Sequence, residues 1–334
     1  MHPLIGRLEQ ALITIFAALT IGFVLIHQLP SGPLQILFAL YGRKKVMKMD
    51  PDRIAKLSRR VVGFSADQPL VDQYIDYWGQ IMQLNFGRSV VYQEPIFKVL
   101  APAIPWTMFM SLLAMLFNTT IAISVGAYMA YREGSKFDIF STVLTIVLSA
   151  IPYYILAIFF LFFLGYQTHL FPTGGRFGDN VTVGFNLPFM ISALYHVALP
   201  FISMTFTGFA ALGLRAHCIR ILGSDYIRVA RLRGLSERRI VFHYLLRNSL
   251  LPGYTGFVTG IGALFGGSVI TEFIFNYKGM GWAMFTGAVG GDIPMVLGTF
   301  AFFTFASVLS LFIVDLTYHV MDPRAEGVGT DEAY

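Results

Sequence analysis

The densest chemistry in the sequence lies between Arg215 and Arg247, where eight arginines share one connecting segment. At its centre stands Gly223-Ser-Asp-Tyr-Ile-Arg-Val-Ala-Arg-Leu-Arg-Gly234. Ser224 or Asp225 can cap a short helix in which Ile227, Ala230 and Leu232 alternate with Arg228, Arg231 and Arg233, and Gly234 can end it. A second helix is predicted from Ser236, with Glu237 in its positively polarised first turn. Anchoring of a membrane protein to the cytoplasmic side accounts for the arginines. It does not account for the order of cap, basic helix, glycine turn and Leu250-Leu251-Pro252 re-entry. That order makes a small knob of two short helices.

Other chemistries fail on spacing. Asp292 and Asp315 flank one apolar stretch and could in principle share a proton, as a hydrolytic carboxylate pair does. At 1.5 Å per helical residue they stand roughly 35 Å apart, near opposite membrane faces, so an intramembrane hydrolase is disfavoured. No G-x-x-x-x-G-K-[ST] loop is present to cradle nucleotide phosphates, and no H-E-x-x-H, G-x-S-x-G or G-x-G-x-x-G pattern occurs. The single cysteine, Cys218, excludes a disulfide framework or a cysteine-cluster metal site. No metal or cofactor is expected in the chain, and any ATP-driven work must use another subunit. A stand-alone channel or secondary carrier is the alternative from a different class. Such a carrier would ordinarily place an ionisable group at mid-membrane, and His196 is the nearest candidate, read here as a helix-packing residue.

The elements that must position this segment are membrane spans. Of 334 residues, 55% are hydrophobic and 13% charged, about half the charge of an ordinary soluble protein, and mean hydropathy is +0.64. Six stretches reach the roughly 20 apolar residues that a bilayer requires: Ala11–Leu29, Ile104–Ala130, Phe137–Gly165, Pro188–Leu214, Leu250–Ile274 and Pro294–Val320. The first exceeds a signal-peptide core in length and lacks a small-residue cleavage site, so it is expected to be retained. With the N-terminus inside, Arg7, Arg132, Lys136, the eight arginines and Arg324 are cytoplasmic, whereas the two short outer loops hold only Arg176 and Lys278. The net charge of +5 therefore reflects topology, not nucleic-acid binding. The fold class is all-α: six transmembrane helices, a long outer loop after the first, and a short basic cytoplasmic helix between the fourth and fifth.

Expected divisions are an N-terminal span over 1–30, an outer loop over 31–103, a core over 104–322 with its basic loop at about 215–249, and a tail over 323–334. In the outer loop, Asp50-Pro51 and Asp67-Gln-Pro69 each start a short amphipathic helix, expected to rest on the outer face. In the fifth stretch Gly256, Gly260, Ala263 and Gly267 share one face, a seam for close helix packing. Pro152, Pro200 and Pro252 mark kinks or helix starts. Glu272, Lys278 and Asp292 are candidates for an outer gate or a binding-protein contact, the alternative being solvated loop charges.

Asp225-Tyr-Ile-Arg-Val-Ala-Arg-Leu-Arg-Gly-Leu235 resembles the coupling loop of inner-membrane permeases in the dipeptide/oligopeptide branch of ABC importers. The likeness extends over nearly the whole chain. Gln73-Tyr74, Leu84-Asn-Phe-Gly-Arg-Ser89 and Leu170-Phe-Pro-Thr-Gly-Gly175 resemble its outer regions; Gly267-Ser-Val-Ile-Thr-Glu272-Phe-Ile-Phe and Val314 to Arg324 resemble its last two helices. Arg228 and Val229 stand where the general motif has Glu and Ala, and Asn276-Tyr-Lys-Gly replaces Ser-Trp-Pro-Gly. The resemblance implies a second homologous permease subunit, two cytoplasmic ATPases that bind ATP-Mg, an extracytoplasmic solute-binding protein, and location in a prokaryotic inner membrane. It implies that Asp225, Tyr226, Ile227, Arg228, Ala230, Arg231, Arg233 and Gly234 couple to the ATPase. The branch carries peptides, nickel chelates, opines and oligosaccharides.

Overall fold

The computed structural model describes residues 3–28, 34–62, 68–207, 211–248, 257, 260 and 269–321. Among the described residues the backbone is helix and turn, with one isolated antiparallel bridge, Arg88 to Pro95, and no strand. Among the described residues four helices are long and apolar enough to cross a membrane: Gly6–Leu25, Ile104–Tyr131, Leu187–Phe206 and Ile293–Ile313. They lie within α1 (Pro3–His27), α7 (Ile104–Tyr131), α10 (Leu187–Thr207) and α16 (Ile293–Met321).

One expected span differs from a single straight helix. The third is broken into α8 (Lys136–Ala150) and α9 (Tyr153–Phe160, continued by a wider π-turn over Leu161–Gln167), bent by 91°. Pro152 forces this, because proline disfavours the helical region for the residue before it, and Ile151 is extended at φ −90°, ψ 121°. The fourth is helical over Leu187–Thr207 and again over Ala211–Leu222, α11, with residues 208–210 outside the described residues. Pro200 sits inside α10 without ending it. Most of the fifth stretch, with Pro252, lies outside the described residues, as do residues 322–334; its described end is α14 (Val269–Ile274).

The chain packs as two compact units, one of Met1–Met108, Gly262–Phe273 and Tyr277–Tyr334, the other of Phe109–Ile261 and Ile274–Asn276. In the first, α2 (Leu34–Tyr41), α3 (Arg43–Val46) and α4 (Pro51–Val62) form a small apolar nest. Ile54, Leu57 and Val61 of α4 meet Ile36, Leu37 and Val46 there. The second loop helix, α5 (Leu70–Met82), runs antiparallel along the later half of α1. His27 Nε2 is 3.0 Å from Gln73 Oε1, Thr20 Oγ1 is 2.8 Å from Tyr74 OH, and Tyr77 OH donates to Leu19 O at 3.2 Å. Phe16 stacks on Trp78 with centroids 5.3 Å apart. The helix thus follows α1 for roughly 17 Å, because its Gln73, Tyr74, Tyr77 and Trp78 find partners on α1.

A second core of this unit joins α6 (Ile96–Leu100), α15 (Met280–Val289) and α16 through Ile96, Leu100, Met280, Ala283, Met295 and Phe303. In the other unit one apolar cluster joins α7, α11, α12 (Asp225–Leu232), α13 (Glu237–Ile240) and the π-turn that follows it, Val241–Leu245. This cluster holds the arginine-rich segment.

Candidate functional site

The segment from Gly223 to Ile240 folds as the sequence suggests. Ser224 is the N-cap residue of α12 by backbone (φ −76°, ψ 151°), but its hydroxyl donates to Ile221 O at 2.5 Å and makes no cap bond to the helix. Asp225 takes the first helical position, where its negative charge suits the helix dipole. At the far end Gly234 has φ +72°. Its N–H bonds to Arg231 O at 2.9 Å, and the Leu235 N–H bonds to Ala230 O at 3.3 Å. This pair of bonds closes the last turn through a left-handed residue.

The eight-residue α12 has one inward and one outward face. Ile227 and Ala230 are buried in the cluster with Ala127 and Ala130 of α7, Leu214, Cys218 and Ile221 of α11, and Ile240 and Leu245 beyond. Asp225, Tyr226, Arg228, Val229, Arg231 and Arg233 are exposed. Leu232, read from the sequence as an inward position, is 81% exposed, because Ile227 and Ala230 alone fill the three-residue spacing that faces the cluster. Tyr226, Val229 and Leu232, at spacings of three, therefore form an apolar strip on the outer side, bordered by Arg228, Arg231 and Arg233. Arg231 Nε is 3.0 Å from Glu237 Oε1, which ties α12 to α13 across the Gly234 turn.

Two contacts fix α11, the helix that leads into this knob. At Gly126 of α7, an added Cβ would lie 2.8 Å from Ala211 O and 3.1 Å from Arg215 N, so only glycine permits the crossing. Beside it the Arg215 guanidinium forms a two-pronged bond to Asp138 of α8, Nε to Oδ1 at 2.6 Å and Nη2 to Oδ2 at 2.7 Å. Asp138 also accepts from the Gly134 N–H at 3.0 Å, while its own N–H donates to Ser135 Oγ at 3.2 Å. The hydrogen bonds to Asp138 push the Arg215 pKa further above its ordinary value, so the guanidinium stays charged. Sequence reasoning missed this pair and counted Arg215 only as a topological cation. Ser135-x-x-Asp138 does carry a helix-start signature, but nothing local points to a partner 77 positions away.

The three outer candidates divide. Glu272 and Asp292 are both 0% exposed, which differs from solvated loop charges and leaves neither with surface for a binding-protein contact. Glu272 accepts from Thr107 Oγ1 at 2.8 Å and from the Trp282 N–H at 2.9 Å, capping α15, while Met280 N–H donates to Thr107 Oγ1 at 2.8 Å. Asp292 caps α16 through the Met295 N–H at 3.2 Å and accepts from Val90 N–H and Val91 N–H at 3.0 Å each. Lys278 is exposed. Of the seam residues, Gly256, Ala263 and Gly267 lie outside the described residues. A Cβ on Gly260 would come within 2.8 Å of Met115 Sδ, a close helix approach. Among the described residues no group of three or more His, Cys, Asp or Glu could hold a metal ion.

Comparison with known proteins fits this geometry. A family described as "Binding-protein-dependent transport system inner membrane component" matches residues 122–327, which include the knob and its anchors. The di/tripeptide transport system permease protein DppB of Pseudomonas aeruginosa is 30% identical over 95% of this chain and 96% of its own. The dipeptide transport system permease protein DppB of Escherichia coli K12 is 28% identical over 96% and 97%. The oligopeptide transport system permease protein AppB of Bacillus subtilis is 29% identical over 87% and 92%.

Proposed function

Because the chain belongs to the family of binding-protein-dependent transport system inner membrane components, we propose that it is one permease subunit of an ATP-driven importer of peptides or a related small solute. The di/tripeptide, dipeptide and oligopeptide substrates in the relatives' names motivate the peptide assignment. In this reading the chain crosses the membrane six times: four straight helices, the bent α8–α9 pair and the stretch over Leu250–Ile274. The N-terminus is cytoplasmic, residues 1–30 form the first span, 31–103 the outer loop, 104–322 the permease core and 323–334 a cytoplasmic tail. The partners are a second, homologous permease, two cytoplasmic ATPases that bind ATP-Mg, and an extracytoplasmic solute-binding protein.

One observation carries the reading. The outer strip Tyr226–Val229–Leu232 with its arginine border is exposed, while the opposite face of the same helix is locked into the core of its unit through Ile227 and Ala230. A partner seated on that strip would push on a packed body and not on a free loop. ATP-driven closure of the ATPases would shift α12 and, with it, α11 and α7, linking nucleotide state to the state of the pathway, an allosteric coupling between distant sites. Lys278 is the remaining outer-contact candidate, since it is exposed.

Cysteine cross-linking tests the docking. In a Cys218→Ala background, Tyr226→Cys should cross-link to an ATPase subunit in assembled membranes, whereas a cysteine replacing the buried Ala230 should not. Equal cross-linking at both positions, or none at Tyr226→Cys, would overturn it.

A further inference from the structure

We infer that Arg215 is a positioning residue that makes α8 follow the knob, with Asp138 as its counterpart; this rests on the coupling reading of α12. The apolar cluster around Ile227 and Ala230 is non-directional, so by itself it permits sliding and rotation between helices. Two features remove that freedom. The Gly126 crossing, with Ala211 O and Arg215 N against the glycine, acts as a pivot between α7 and α11. The two-pronged Arg215–Asp138 bond fixes both distance and orientation between α11 and α8, as planar guanidinium–carboxylate pairs do.

The pair is built and not incidental. The Asp138 side chain is 4% exposed and that of Arg215 24%, and a third donor, the Gly134 N–H, completes the carboxylate. Gly134 itself has φ +74°, a conformation glycine adopts freely. The α7–α8 turn is therefore shaped to present Asp138 to α11. Residue 215 holds both the pivot, through its backbone, and the arm, through its side chain, and α12 begins only ten positions later. A displacement of α12 thus reaches the start of α8 through α11 without passing through lipid-facing contacts.

The test uses the full transporter with its ATPases and spin labels at exposed Lys136 of α8 and Arg220 of α11, in a Cys218→Ala background. Their distance distribution is measured without nucleotide and with ATP trapped by vanadate. If Arg215 ties the helices, the wild-type distance is the same in both states. In the Asp138→Asn, Arg215→Gln double variant, which leaves no stranded buried charge, the distribution should shift and broaden on trapping. Arg215→Lys, which keeps the charge but loses the fork, should fall between. An unchanged distance in the double variant, or a nucleotide-dependent distance in the wild type, would overturn the inference. The Tyr226→Cys cross-link is run in parallel on complexes that carry no spin-label cysteines, in the wild-type and in each Arg215/Asp138 variant. Its presence with either contrary distance result rejects the Arg215 role alone, whereas its absence from the otherwise wild-type complex rejects the coupling reading and the inference with it.

Discussion

Ser89 and Asp292, 203 residues apart in sequence, meet in the interior, with Ser89 Oγ donating to Asp292 Oδ2 at 2.5 Å. The Val90 and Val91 N–H groups and the Met295 N–H converge on the same carboxylate, so one side chain both caps α16 and fastens the segment before α6. Asp292→Ala strands two buried donors, Ser89 Oγ and the Met295 N–H, and should cost at least about 3 kcal/mol, since each buried donor left unpaired costs about 1–3 kcal/mol. Asp292→Asn, which keeps one acceptor oxygen, should cost roughly half. Thermal unfolding in detergent and tryptic cleavage after Arg88 measure the two effects, and both should rank alanine above asparagine.

Glu272 sets a steric test. A methyl on Gly279 would collide with Glu272 Oε2 and lie 2.5 Å from Thr107 Oγ1, so Gly279→Ala must displace the cap of α15. Overpacking of this kind costs about 1–3 kcal/mol. Thr107→Val removes the Thr107 bond to Glu272 and the Met280 N–H bond to Thr107 with little change in volume, and should lower the melting temperature as well. Because both changes strike one cluster, the double variant should be less destabilised than the sum of the singles. Additive losses would show that the two sites act independently.

At Gly234 the reverse applies: a Cβ there meets nothing within 4 Å, and only the backbone objects. Gly234→Val should therefore carry a conformational penalty of about 1–2 kcal/mol, while Gly234→Asn, which tolerates the left-handed region, should carry much less. At matched membrane levels, uptake and ATPase association should fall together for valine and stay near wild type for asparagine. Equal behaviour of the two variants would mean that the turn's geometry is irrelevant to coupling.

The sequence revealed the elements whose signals are local. The α12 boundaries followed from Ser224 and Gly234, α4 from Asp50-Pro51, and the long spans from apolar runs. The Tyr226–Val229–Leu232 strip was hidden because alternation with arginine suggested that Leu232 faced inward; burial shows that spacing from Ile227 and Ala230 decides the face. The 91° break at Pro152 was flagged only as a kink or start, since a proline fixes the break but not its angle. Asp138, Glu272 and Asp292 each have one nearby donor, but the partners that tie them into the interior, Arg215, Thr107 and Ser89, stand 77, 165 and 203 positions away. No periodicity encodes such partners.

Topology is open to direct labelling. In a Cys218→Ala background, a cysteine at Arg228 should be shielded from an impermeant thiol reagent in intact cells and become reactive after permeabilisation. A cysteine at Arg53, exposed on α4, should react without permeabilisation. Native Cys218 is buried and should react at neither stage in the folded protein. Labelling at 228 but not 53 in intact cells would invert the assignment.

The most direct test of the account is reconstitution. The purified chain in liposomes should neither hydrolyse ATP nor take up a labelled dipeptide under an ion or proton gradient. With the second permease, the ATPases and the solute-binding protein added, hydrolysis and solute uptake should appear together and require ATP-Mg. Uptake by the chain alone, driven by a gradient and indifferent to ATP, would contradict it.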